Sequence, residues 1–172
     1  LYTGSAEFVA LANRIVEHFH KAPEKVYKQF GARSGRQFNI FQSNTLAELL
    51  HTYGHLTTPA ARNVMEWHTE QVFKHFAGSA QPDYKFHGAN DNMPAMATCG
   101  LVLGGEALGH RPAVEHGWWN LNQVRRLLSR AAWMSEFNSS TYSPITLTSF
   151  AKIAEYAHDP DIRAVARDIE SR

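Results

Sequence analysis

Apolar residues recur at three- and four-residue spacing along most of the chain, the pattern of helices that pack by one face. Phe8, Leu11, Ala12, Ile15, Val16 and Phe19 make such a stripe over 6–19, with Ser5 in the N-cap position. The pattern breaks over 22–43, where Gly31-Ala32-Arg33-Ser34-Gly35-Arg36 reads as a loop carrying two arginines. Ser43-Asn44-Thr45 then caps a short helix holding Leu46, Leu49, Leu50 and Tyr53. Thr58-Pro59 opens another, with proline in the first turn and Val64, Met65, Trp67, Val72, Phe73 and Phe76 on its apolar face, ended by Gly78. A polar loop over 79–92 leads to Met93-Pro94 and a helix of small residues, Ala95, Ala97, Gly100, Gly104, Gly105 and Ala107, closed by Gly109. Arg111-Pro112 opens the next, with Val114, Trp118, Leu121, Val124, Leu127, Leu128 and Ala131. A second polar loop, 135–143, precedes Pro144 and a helix with Leu147, Phe150, Ile153 and Ala154, and Asp159-Pro160 starts the last helix. No run of alternating strand residues is present, so the fold class expected is all-α.

The helices repeat. Polar segments of similar character begin near 41 (Phe41-Gln42-Ser43-Asn44-Thr45), 90 (Asn90-Asp91-Asn92-Met93-Pro94) and 137 (Phe137-Asn138-Ser139-Ser140-Thr141), at steps of 49 and 47 residues. One helical hairpin fills a period of that size. Stacked hairpins of this kind form an open solenoid or close into an α/α toroid, in which every second helix lines the inside. The expected inner helices lie near 44–54, 93–108 and 144–157, and the outer ones near 5–20, 59–77, 111–133 and 160–171. A closed ring of six hairpins at this period needs about 290 residues. The 172 residues supply fewer, so 1–172 is expected to be one all-α domain forming an incomplete ring, as part of a longer protein.

Charge narrows the partners. Lys and Arg number 17 against 16 Asp and Glu, a net +1, with no run of like charge. An extended surface that tracks nucleic-acid phosphates is therefore not expected. No apolar run approaches the ~20 residues that span a bilayer, so no membrane is expected. The lone Cys99 excludes an internal disulfide and reads as a small apolar filler in its helix.

The polar segments hold more than helix caps require. The second has His87, Asn90, Asp91 and Asn92; the third has Glu136, Asn138, Ser139, Ser140, Thr141 and Tyr142; the first has Asn39, Gln42, Ser43 and Asn44. If the hairpins repeat, all three segments share one rim, where helix N-termini favour an anion such as a carboxylate. Ser43, Ser139 and Thr141 are explained as N-caps; Tyr142, Glu136 and His87 are not cap residues and carry most of the functional weight.

The segment Gly88-Ala89-Asn90-Asp91-Asn92-Met93-Pro94-Ala95-Met96 resembles the Asn-rich start of an inner helix in α/α-toroid polysaccharide lyases of the alginate-lyase and heparinase type. Glu136-Phe137-Asn138-Ser139-Ser140-Thr141-Tyr142 is similar to a Glu-x-Asn-Ser-Pro-Thr-Tyr pattern of toroid proteins, with Ser140 where proline is expected. An Asn-Asn-His triplet is missing. The resemblance covers about half of the chain and implies β-elimination on an acidic oligo- or polysaccharide. A uronate carboxylate is neutralised so that its α-proton becomes acidic, a base removes the proton, and an acid protonates the leaving oxygen. Asn92 or Asn90 would neutralise, His87 would be the base, and Tyr142 the base or acid. Arg33 and Arg36 would bind substrate carboxylates, and Asp91, Asn138 and Asn44 would complete the binding rim.

Other readings stand beside this one. Glu136 and Asp91 are a candidate carboxylate pair for a glycoside hydrolase on the same scaffold. Trp118-Trp119 offers a sugar-stacking platform, against ordinary packing on a helix. His51 and His55 have metal-ligand spacing, but no Glu follows His51 and Gly54 stands at the helix end, so no metal and no cofactor is expected. The remaining pairs, His18/His20 and His68/His75, read as surface residues. A non-catalytic helical-repeat module that binds a partner on its concave face is the alternative outside enzymes.

Overall fold

A computed structural model of the chain describes residues 5–21, 39–77, 91–131 and 139–172. These residues form seven α-helices: α1 Ala6–Lys21, α2 Ile40–Tyr53, α3 Pro59–Val72, α4 Asn92–Leu108, α5 Arg111–Ala131, α6 Tyr142–Tyr156 and α7 Pro160–Glu170. A 3-10 turn, Gly54–Leu56, follows α2, and a π turn, Phe73–Ala77, extends α3. No strand occurs among the described residues. None of their helices is long and apolar enough to cross a membrane.

The helix ends follow local chemistry. Thr58 Oγ1 accepts from the Ala61 N–H at 3.1 Å ahead of Pro59, and Asp159 Oδ1 accepts from the Asp161 N–H at 2.8 Å ahead of Pro160. Both are side-chain N-caps followed by proline, whose missing N–H costs nothing in the first turn. Gly109 ends α4 with φ of 63°, a left-handed conformation that glycine adopts without strain. His110 Nδ1 then accepts from the Ala113 N–H at the start of α5.

Two helix starts differ from expectation. α2 begins at Ile40, and its cap is Asn39, whose side chain accepts from the Phe41 N–H at 3.0 Å. Ser43 and Asn44 therefore lie inside the helix and are buried, and Thr45 bonds back to the Phe41 carbonyl. They look like caps in the sequence because Ser, Asn and Thr suit both a cap and a close contact with a small-residue neighbour. α6 begins at Tyr142 rather than Pro144. There Ser139 Oγ accepts from the Tyr142 N–H at 3.0 Å, while Thr141 makes no side-chain cap bond.

Packing centres on α4, which is buried from Pro94 to Gly105. It packs against α2 on one side, α6 on the other and α5 behind. Its small residues set the distance to α2 and α3: a Cβ built on Gly104 would meet Thr69 Cγ2 and Ala47 Cβ, and one on Gly100 would meet Val72. Asn44 and Ala47 of α2 lie against Gly100 and Gly104 of α4, and His51 against Glu106, so the two helices run parallel. The end of α6 also meets Glu106, through the His158 N–H. α5 returns antiparallel to α4, with Gly117 against Val102 and Val114 against Gly105. Lys152 of α6 and Glu48 of α2 form an ion pair at 2.5 Å. The layer α2–α4–α6 thus has its starts on one side and its ends on the other. α5 and α7 pack together behind it, and α1 packs on α3.

Candidate functional site

Both ends of the α2–α4–α6 layer carry polar side chains. At the start side, Asp91 and Asn92 are buried at the first turn of α4. The register set by Glu106 and His158 brings Tyr142 level with that turn, and Tyr142 is 46 % exposed there. Asn44 is set deeper. Its Oδ1 lies 3.8 Å from the Cβ position of Gly100, about two helical turns, or ~12 Å, beyond Asn92 along the axis. That oxygen is buried without a hydrogen-bond partner among the described residues, as is Thr146 Oγ1 of α6.

Trp118 is not brought to this side. It packs partly buried against the core of α4, α5, α6 and α7, and it lines a groove of about 430 Å³ between α5 and the start of α7. Arg111, Glu115, Asp159 and Asp161 share that groove. Arg33, Arg36, His87, Asn90, Glu136 and Asn138 lie outside the described residues.

A second groove, of about 300 Å³, opens where α5 and α7 end, lined by Arg125, Arg126, Ser129, Arg130, Asp168 and Arg172. Because α5 is antiparallel to α4, this groove lies on the same side as the starts of α4 and α6. Arg172 pairs with Asp168 through Nε and Nη2 at 3.0 and 3.2 Å, and Arg125 Nη2 donates to Asn122. Among the described residues that line it, four guanidinium groups against one carboxylate make a cationic groove suited to carboxylate or sulfate. The signal was present in the sequence as Arg-Arg-x-x-x-Arg, but its meaning depends on α7 ending beside it.

The opposite end holds a close constellation of titratable groups among the described residues. His51 closes α2, Glu106 closes α4 and His158 follows α6. His51 Nε2 is 2.9 Å from Glu106 Oε2, and His158 Nδ1 is 3.7 Å from the same oxygen. The His158 N–H donates to Oε2 at 2.9 Å and Oε1 at 3.0 Å, and the Asp159 N–H donates to Oε1 at 3.4 Å. The two imidazole rings stand 4.4 Å apart. The His51 and Glu106 side chains are 4 % and 8 % exposed, while His158 is 72 % exposed. Burial alone would raise the Glu106 carboxyl. The hydrogen bonds from His51, His158 and Asp159, with the nearby His158 charge, outweigh it and hold the group below the ordinary carboxylate range. His51 Nδ1 is buried without a hydrogen-bond partner among the described residues, at a cost of about 1–3 kcal/mol. His55, four residues on, is exposed on the 3-10 turn.

One further side chain changes its reading, and Cys99 keeps the one the sequence suggests. His68 is buried rather than on the surface, with Nδ1 3.4 Å from Ser43 Oγ. Cys99 is fully buried, and burial pushes its thiol up to about 12, which removes it as a nucleophile. No family model matches the chain, and neither a curated protein nor a solved structure matches it.

Proposed function

We propose that the chain is an arc of an α/α toroid that acts on an acidic polysaccharide by β-elimination. The observation that carries this reading is the position of the four-arginine groove on the side where α4 and α6 start, together with the exposed Tyr142. Arginines suit the repeating carboxylates or sulfates of such a polymer. Tyr142 supplies a phenolic O–H within reach of solvent, the group needed to move a proton at the sugar ring. The arrangement of parallel α2, α4 and α6 supports the toroid, with further hairpins of the same protein completing it. α1 accords with an open end of the arc, since Phe8, Leu11 and Ile15 are exposed along it.

The test is the ultraviolet absorbance of the unsaturated product, screened over alginate, heparan, chondroitin and pectic acid with the full-length protein. Rising absorbance on one of them supports the reading. A flat trace on all of them removes it, and reducing-sugar release without absorbance moves the chemistry to a hydrolase. One second reading is a helical-repeat module that binds a partner without turnover: Asp91 and Asn92 are buried, which withdraws two of the candidate groups from a substrate. Saturable binding with no product of either kind selects it.

A further inference from the structure

The cluster at the far end of the helix layer is built more closely than a helix staple needs. His51 Nε2, Glu106 Oε2 and His158 Nδ1 offer one ligand atom each, and all three lie within 4.8 Å of one another. In a tetrahedral zinc site with bonds of about 2.0–2.2 Å, ligand atoms stand ~3.3 Å apart. The separations of 2.9 and 3.7 Å from Glu106 Oε2 fall on either side of that value. The adjustment falls on His158, whose exposed side chain turns without disturbing the core.

The other two ligands are held in place. Glu106 is oriented by the backbone N–H groups of His158 and Asp159, the kind of outer hydrogen bonding that fixes a carboxylate ligand. The His51 side chain is enclosed, with Nε2 toward Glu106 and Nδ1 unpartnered among the described residues. Nδ1 keeps no partner in whichever protonation state Nε2 faces the carboxylate. Nε2 is thus the ring nitrogen that faces a shared ligand position beside Glu106 Oε2. We propose that His51, Glu106 and His158 bind a divalent transition metal, zinc before others. Two imidazoles and one carboxylate are borderline donors that suit zinc, whereas magnesium and calcium take oxygen sets. The exposed side of His158 leaves the fourth position to water. The site lies at the opposite end of the helices from the proposed substrate side, so its success or failure is independent of the lyase reading.

The test uses the full chain stripped with a chelator and titrated calorimetrically with zinc alone near neutral pH. One zinc per chain is expected, with affinity falling at least about tenfold in His158→Ala and unchanged in His55→Ala. His158 is exposed, so its variant folds even where His51→Ala does not. Cobalt provides a second readout: the intense visible absorption of a four-coordinate site in the parent chain, lost in His158→Ala. Absence of saturable zinc binding, equal affinity in His158→Ala, or loss of binding in His55→Ala instead would each overturn the proposal.

Discussion

Gly104 gives the sharpest test of how α4 is packed. A Cβ at that position would lie 2.5 Å from Thr69 Cγ2 and 3.3 Å from Ala47 Cβ. Carbon atoms pack at about 3.5–4.0 Å, so the overlap with Thr69 is on the order of 1 Å. Thr69 has no easy escape. It is fully buried, and its Oγ1 donates to the Met65 carbonyl at 2.8 Å, a bond that rotation about χ1 would break. Ala47 of α2 and Phe73 crowd the same position, at 3.3 and 3.6 Å. Gly104→Ala gains about 1 kcal/mol in helix propensity and loses about 1–3 kcal/mol to overpacking. The net is a loss of about 0–2 kcal/mol, and the 2.5 Å approach to a fully buried side chain places it toward the upper end. Gly100→Ala meets only Val72 Cγ1 at 3.2 Å, which yields by a few tenths of an ångström. That variant should stay within about 0.5 kcal/mol of the parent. The assay is urea unfolding followed by helical circular dichroism. Thr69→Ser removes the clashing methyl and keeps the hydroxyl. Alone it should cost about 1 kcal/mol; combined with Gly104→Ala it should recover part of the loss, a favourable coupling of at least about 0.5 kcal/mol. Equal stability of the Gly104 and Gly100 variants, with no coupling to Thr69, would refute the packing described for α4.

Other expectations follow from the same contacts. Gly117→Ala brings a Cβ to 2.5 Å from Val102 Cγ2 and 3.3 Å from the Val102 backbone nitrogen, so it should lower the urea midpoint at least as far as Gly104→Ala. Glu106→Gln weakens the hydrogen bonds that tie α2, α4 and the α6–α7 turn, and should cost about 1–3 kcal/mol near neutral pH. The folded carboxyl titrates below its ordinary 4.5, so its stabilisation is full above that value and is lost as pH falls through the folded value. The gap between parent and Glu106→Gln should therefore close in acid; a gap that stays constant or widens contradicts the assignment. Cys99, with its thiol pushed up to about 12 by burial, should react with a thiol reagent near neutral pH only at the rate of unfolding. Fast labelling of the native chain would place Cys99 at the surface.

The helices were legible where a local signal and the packing agree. Thr58-Pro59, Asp159-Pro160 and Gly109 mark ends by backbone chemistry that needs no tertiary partner, and the small residues of 94–108 announced a buried helix. The start of α2 was misread because Asn39 and Ser43 are both good caps. What separates them is the burial of Ser43 and Asn44 against α4 and His68, which is a tertiary fact. The His51–Glu106–His158 cluster was not legible by spacing, since its members stand 55 and 52 residues apart. It exists because three parallel helices end side by side. A signal was available in principle, as each residue falls at or just after the end of one of these three helices. The arginine groove was hidden for the same reason, because Arg172 joins Arg125, Arg126 and Arg130 only when α7 lies along α5.

The most direct measurement of the central proposal is the initial rate of unsaturated-product formation by the parent chain and by Tyr142→Phe, on the polymer that gives the highest signal. Tyr142 is half exposed at the first turn of α6, so loss of its hydroxyl should leave the unfolding midpoint unchanged within about 0.5 kcal/mol. Loss of a positioned acid–base group should lower the rate on the order of 10²–10⁴-fold, while binding of the polymer is retained. A Tyr142→Phe variant that turns over at the parent rate would contradict the account, because no proton then passes through that side chain.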